Sequence, residues 1–440
     1  MGIRSLLMIE QDEPRDLAAL VVPLVGSLQR VDDPWEPCRV CDPAGVVIGP
    51  VAAYLRDLQA AGRPETTLRA YATALLRWLR FGWAVEVAWD QATRGEARDF
   101  CRWIQIADKP ARTHWRHADA GKAGGAAAAV LAAAGAGTPN PVTGKPAPGR
   151  KYAPATAVHS ESVLRGFYEF HREAGSGPMV NPFPLARGRR GGGRAHAHHN
   201  PMQPYRGERS GLYRPRLVQR VPRQIPEEMF NELFARLGSH RDRALVAFWV
   251  STGARAAELL GCCGGDADPG QQLITVIRKG TRFVQQLPAS PDAFVWLRLY
   301  QAQLEGLVPS GRDDPLWWTL RRPFRQLAYH AAYRMFQRAS ASLGANWSLH
   351  DLRHFAAYRM SRDAGMPLAD VQWVLGHASL TTTQLYLSAP AGEVIASVLA
   401  HHARMAGRQA APPGGGPPPG HGYRPESLDV LFGRGHRDHP

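Results

Sequence analysis

One stretch divides this chain before any helix is considered. From Arg187 to Arg223 it carries ten arginines and a single acidic residue, Glu208, among glycines and prolines that break regular structure. Such a segment cannot bury enough apolar surface to offset the entropy of ordering it, so the chain is expected to fold as separate bodies on either side. The expected division is a partly irregular N-terminal arm over 1–45, a helical domain over 46–181, a basic interdomain linker over 182–223, a second compact domain over 224–406 and a disordered tail over 407–440. Inside the helical domain, "AGKAGGAAAAVLAAAGAGTPNPVTGKPAPGRKY" is low-complexity Ala/Gly/Pro and is expected to be a flexible insertion over about 117–154.

The charge points to a polyanion. Fifty-three Lys and Arg against 38 Asp and Glu leave a net +15, with a pI near 10.0. A charge of that size opposes compaction unless something negative meets it. Nucleic acid is the first candidate and an anionic membrane the second. The sequence has no run of 18 apolar residues, and "MGIRSLLMIEQDEPRD" turns acidic too soon for a signal peptide, so no membrane partner is expected and an intracellular protein is. Arg187, Arg189, Arg190, Arg194, Arg214 and Arg216 are then candidate DNA contacts in a strap laid along phosphates, each neutralised phosphate releasing counterions. A solvated linker is the other reading of the same residues. Five cysteines give no disulfide framework. Cys38 and Cys41 make a lone "CRVC", half of a zinc site with no second half nearby, so no metal is expected. Cys262 and Cys263 follow "ELLG" and read as the close of a buried helix end.

Periodicity sets the elements. "PVAAYLRDLQAAG" places Val51, Tyr54, Leu55 and Leu58 at helical spacing, and "PETTLRAYATALLRWLRFG" does the same with Leu68, Tyr71, Leu75, Leu76 and Leu79. "TRGEARDFCRWIQ" and "ATAVHSESVLRGFYEFHREAG" read as a third and fourth helix. After Gln224, "IPEEMFNELFARLG" has helix start and stop signals, and "RDRALVAFWVSTGARAAELLG" reads as a buried helix, a turn and a further helix starting near Arg255. "QQLITVIRKGTRFVQQLP" alternates on both sides of a Lys-Gly-Thr turn, a β-hairpin signal. Helical patterns then run to about residue 400. The fold class is mainly α with a small β-hairpin or sheet, α+β.

In "SLHDLRHFAAYRMSRDAG", Ser348 is a plausible N-cap and the helix is expected to run to Gly365. His350 and Arg353 share a face at i, i+3, while His354 is expected to turn from it. A histidine beside an arginine suits an anion with several oxygens better than a cation. Downstream, Leu368, Val371, Val374 and Leu375 make a helix face that stops at Gly376; His377 follows the stop and Tyr386 lies nine residues beyond it.

The order and spacing of Arg255 in "TGARAAELLG", Lys279 in "IRKGTR", His350 and Arg353 in "HDLRH", His377 in "LGHAS" and Tyr386 in "TTTQLYL" resemble the tyrosine recombinase or phage integrase family. The resemblance covers residues 224 to 390 and fills all six active-site positions of the family; 46–181 resembles its helical SAM-like core-binding domain more loosely. It implies attack of the Tyr386 hydroxyl on a DNA phosphodiester, a covalent 3′-phosphotyrosyl intermediate, then strand exchange and religation. His350 is implied as the base, Arg255, Arg353 and His377 as transition-state ligands and Lys279 as the general acid, with Arg278 and Arg282 as close competitors for that last role. No metal, ATP or other cofactor is implied. The partners implied are double-stranded DNA and three further copies of the chain, a tetramer on two duplexes in a bacterial cytoplasm at the nucleoid, with residues 391–406 packing in cis or on a neighbour. "HDLRHF" lacks the small hydroxyl residue common after the second His, and "GCCGGDADPGQQ" departs from the family's more regular stretch there. Three rival readings are a type IB topoisomerase, a catalytically inactive architectural DNA-binding protein, and a metal-dependent nuclease using His350, His354 and His377.

Overall fold

Apolar residues recur every three or four positions in "ETTLRAYATALLRWLRFGWA", and in the computed structural model this sequence forms the helix Glu65–Ala84. The structure describes residues 15–110, 137–147, 149–186, 210–215, 224–377 and 398–404. Two compact units divide the chain, 1–220 with 343–346, and 221–342 with 347–440.

Among the described residues, the first unit holds four helices, α1 (Gly49–Ala60), α2 (Glu65–Ala84), α3 (Arg94–Ile106) and α4 (Pro154–Glu173), at the positions periodicity predicts. Trp78 of α2 is their meeting point, packed edge-on against Phe100, Tyr168 and Phe183. Its Nε1 donates to Tyr168 Oη at 2.9 Å, and Tyr168 Oη donates to Trp89 O at 2.7 Å, so the buried polar atoms of both rings are satisfied. Thr93 and Glu96 cap α3 reciprocally. Burial alone would raise the Glu96 carboxyl, but bonds from Thr93 and Arg15 outweigh it and hold it at about 2.

Two expectations for this unit need correction. The arm, expected to be partly irregular, contains a pair of antiparallel strands, Ser27–Arg30 (β1) and Cys38–Cys41 (β2), and Cys38 and Val40 enter the core with Leu17. Three apart on one strand, Cys38 and Cys41 leave on opposite faces, and both are free thiols. The Ala/Gly/Pro insertion has an ordered end. Pro139 bridges Pro146, Gly144 N donates to Asn140 O at 2.7 Å, and Lys109 N donates to Arg150 O at 2.8 Å. Residues 111–136 lie outside the described ones. Nor is 182–223 a simple linker. Leu185 bridges Gly211, Ala186 N donates to Ser210 O at 2.8 Å, and Leu212 N donates to Pro184 O at 2.9 Å. Residues 184–186 and 210–212 therefore lie side by side.

The second unit is built on α6 (His240–Thr252), which is buried on most of its circumference and follows α5 (Glu227–Ala235). Ser239 caps it, its Oγ accepting from Asp242 N at 3.1 Å. After α7 (Ala256–Leu260) comes an antiparallel sheet of β3 (Ala267–Asp268), β4 (Leu273–Ile277) and β5 (Val284–Pro288) in that order, with β4 and β5 in register from Leu273↔Pro288 to Ile277↔Val284. The β4–β5 turn is the predicted Lys-Gly-Thr turn. Helix α8 (Pro291–Leu304) packs on α6 through Phe294 and Phe248. Helices α9 (Tyr329–Ala341), α10 (Leu349–Arg362) and α11 (Leu368–Leu375) follow. Asp351 Oδ2 accepts from Ser348 N and Oγ, which starts α10 as predicted, but the helix stops at Arg362 and not at Gly365. The described residues are helix-dominated with two small sheets, the expected α+β class. No helix among the described residues is long and apolar enough to cross a membrane.

Candidate active site

Two helices end on a left-handed glycine, α6 at Gly253 (φ 60°) and α11 at Gly376 (φ 61°). A helix end leaves carbonyls without partners, and its dipole favours a cation there. Arg353 of α10, 3% exposed, answers both ends: Nη1 donates to Gly253 O at 2.7 Å and Nη2 to Leu375 O at 2.6 Å. Gly253 has no room for a side chain, since a Cβ would stand 2.7 Å from Leu375 Cδ2.

Arg255 and His377 each leave from just beyond one of these anchored ends. Arg255 is the residue before α7, and its half-buried guanidinium donates through Nη1 to Glu258 Oε1 at 2.8 Å. His377 follows a closed end in which Gly376 N donates to Trp373 O and His377 N to Gln372 O. Burial holds the His377 imidazole down to about 4, helped by the positive charges of Arg353, Arg255 and Arg278 and by His354. It is therefore neutral near pH 7, one ring nitrogen donating and the other accepting.

Glu258 is the hub that sequence reading missed. It is 4% exposed and accepts four bonds, from Arg255 N and Nη1, from Lys279 N at 2.9 Å and from Arg278 Nη1 at 3.1 Å. Burial would raise its carboxyl, but the backbone N–H groups of Lys279 and Arg255 and the Arg255 guanidinium outweigh that and lower it. The signal was present as a carboxylate three residues after Arg255 in an otherwise apolar stretch. Its bond to Lys279 N fixes the β4–β5 turn, where the Lys279 side chain is exposed. Of the competitors for that position, Arg278 is buried and committed elsewhere, to Gln285 Oε1 at 2.7 Å, to Glu258 and to Val374 O, while Arg282 is exposed with φ 59°.

His350 lies one turn before Arg353 and is exposed. His354 does not turn away from it. The two rings meet edge to face with centroids 4.4 Å apart, because i and i+4 share a helix face. Glu258 thus ties Arg255 to the turn of Lys279, Arg353 ties the turn before Arg255 to the helix end that His377 follows, and the His354 ring meets that of His350. Tyr386 lies outside the described residues, as do Arg187, Arg189, Arg190, Arg194 and Arg216. Arg214 is described: its Nη2 donates to Ser162 Oγ at 2.6 Å and stands 3.6 Å from Glu161 Oε2. Among the described residues no three His, Cys, Asp or Glu side chains are grouped as a metal site would need.

Residues 223–392 match the family model described as Phage integrase family. A curated relative, tyrosine recombinase XerD of Neisseria meningitidis serogroup B, is 29% identical over 198 residues, 43% of this chain and 66% of its own length. Tyrosine recombinase XerC of Corynebacterium efficiens is 32% identical over 195 residues, 41% of this chain and 58% of its own. The chain thus spans less than two thirds of the length of these relatives. Solved structures align loosely: the Tn1549 transposon integrase in complex with transposon right end DNA has TM-score 0.49 and 13% identity, over 82% of this chain and 100% of its own. Over residues 223–392, this chain is thus similar to the phage integrase family and to curated tyrosine recombinases.

Proposed function

We propose that the protein is a site-specific DNA recombinase that cuts and rejoins strands through a covalent phosphotyrosine. The Tyr386 hydroxyl, a phenol of pKa about 10 in its free form, loses its proton to His350 as its oxygen bonds to phosphorus. Arg255 and Arg353 take the charge that develops on the non-bridging oxygens, and neutral His377 donates a hydrogen bond to one of them. The P–O5′ bond breaks, and Lys279 gives its proton to the departing oxygen. A 5′-hydroxyl and a 3′-phosphotyrosyl bond result. The free 5′-hydroxyl of another strand then reverses the steps, so the bond is conserved and neither ATP nor any other cofactor enters the balance.

The observation that carries this reading is the pair of hydrogen bonds that Arg353 donates to Gly253 O and Leu375 O. It fixes, relative to one another, the starts of the segments bearing Arg255 and His377. A site held this way is organised before an anion arrives, which is what transition-state stabilisation by charge requires. The partner is double-stranded DNA, and the working assembly a tetramer on two duplexes at a bacterial nucleoid in the cytoplasm.

A nicked duplex whose cleaved fragment diffuses away traps the covalent step. In EDTA, wild type should accumulate a protein–DNA adduct through the 3′-phosphate, and Tyr386→Phe should form none. An adduct that persists in Tyr386→Phe, or cleavage that appears only with a divalent cation, overturns the reading.

A further inference from the structure

We propose that Arg278 is a positioning residue for strand cleavage: its buried guanidinium, with Gln285, fixes the turn that carries Lys279 to the helix end that presents His377. The inference rests on the recombinase reading and deepens it, since that reading gives Arg278 no role.

The geometry is specific. Arg278, the residue after β4, is 4% exposed and Gln285 of β5 is 6% exposed, while Lys279, the residue after Arg278, is exposed. Arg278 Nε donates to Gln285 Oε1 at 2.7 Å, Nη1 to Glu258 Oε2 at 3.1 Å, and Nη2 to Val374 O. Gln285 Nε2 in turn donates to Trp373 O at 3.0 Å. Two neighbouring side chains of the hairpin therefore hold two successive carbonyls at the end of α11. The contact is close: a Cβ at Gly376 would stand 3.1 Å from Arg278 Nε and 3.3 Å from its Cζ, and would press on the guanidinium.

Such a buried charge is costly without a counter-charge and full hydrogen bonding, and Glu258 supplies the first. Because Glu258 also accepts from Lys279 N and from Arg255, one carboxylate ties the guanidinium to both neighbours in the site. Without the Arg278 side chain, the tip keeps its main-chain bonds, Arg278 N to Phe283 O at 2.8 Å and Arg282 N to Arg278 O at 3.0 Å, and the bond of Lys279 N to Glu258, but only one side-chain tie from the hairpin to α11 remains, through Gln285. A general acid must be held within hydrogen-bond reach of its target, so a loosened turn costs the protonation step before any other.

The test separates that step from the rest. Adduct formation is followed in single turnover on two nicked duplexes, one with the ordinary bridging O5′ and one with sulfur in its place, whose thiolate leaves without a proton. On the oxygen substrate, Arg278→Met should be slower by about 100-fold, the low end of what a general acid contributes. On the sulfur substrate it should come within a few-fold of wild type, as Lys279→Ala should. Gln285→Leu should show the same pattern at smaller size, and it decides the matter should Arg278→Met prove unfolded by its thermal transition. Equal deficits on both substrates, or none on the oxygen substrate, overturn the inference. No adduct with wild type on either substrate is the separate failure of the recombinase reading, and takes this inference with it.

Discussion

Arg353 donates to the carbonyl oxygen of Gly253 at 2.7 Å and so ties α10 to the turn from which Arg255 departs. The tie is electrostatic as well as geometric, because Gly253 closes the negative end of α6. Arg353→Met should leave buried carbonyls without a donor, at a cost of about 1–3 kcal/mol each in a denaturant titration. Arg353→Lys keeps the charge but not the planar fork that spans both carbonyls. It should fold more stably than the Met variant and still lose about 100-fold or more in adduct formation. A Lys variant as active as wild type would show that charge alone suffices.

The His377 imidazole, depressed from 6.5 to about 4 by burial and by its arginine neighbours, sets a pH dependence of known sign. Between those values the unfolded chain binds the proton and the folded chain does not. The stability this group contributes is complete above about 6.5, the ordinary value for histidine, and is lost as pH falls from there toward 4. His377→Gln should flatten that part of the melting-temperature curve. In an NMR titration of wild type, a phosphate or vanadate ion bound among the arginines should move the His377 transition upward. An imidazole that titrates near its ordinary value without ligand would contradict the arrangement described.

Gly253→Ala combines two penalties. Its φ of 60° costs an L-residue about 1–2 kcal/mol, and the new methyl would meet Leu375 Cδ2 at 2.7 Å. Because Gly253 O is also the acceptor of Arg353, the substitution should lower stability and adduct formation together. Retained cleavage in a destabilised variant would mean that Arg353 holds its place without this partner.

Arginines of the basic segment should separate into two classes. Arg214 pairs with Glu161, whose carboxyl burial pushes up against the pull of Arg165 and Arg214. Arg214→Gln should therefore lower the stability of the first unit and leave the salt dependence of DNA binding unchanged. Neutralising Arg187, Arg189, Arg190 and Arg194 together should do the reverse, reducing the slope of log K against log salt by about 0.9 for each phosphate that keeps its counterion. An unchanged slope returns those four to a solvated loop.

Local patterns were legible in the sequence, and remote contacts were not. The helices of both units follow the 3.6-residue apolar repeat, and the β4–β5 hairpin follows strand alternation around its turn. The β1–β2 hairpin escaped because its strands are four residues each and "SLQR" carries no apolar alternation. The Leu185–Gly211 bridge escaped because composition describes what lies between two points and says nothing of whether they meet. Six candidate catalytic residues could be named from their order alone. Glu258 and Arg278 could not, since what defines Arg278 is a carbonyl 96 residues away. Arg214 shows the same limit within one residue type: nothing local distinguishes an arginine facing a phosphate from one facing a buried carboxylate.

The end of α11 is gripped through Trp373 O, Val374 O and Leu375 O, all of them main-chain atoms. The grip is therefore blind to spelling. Any residue that suits the burial at those three positions presents the same oxygen to Gln285, Arg278 or Arg353. Frame is another matter, because adding or removing one residue in α11 rotates every later carbonyl by about 100° around the helix axis. A deep insertion and substitution library should show this as an asymmetry, tolerant of side-chain exchange along 373–375 and intolerant of a change in length.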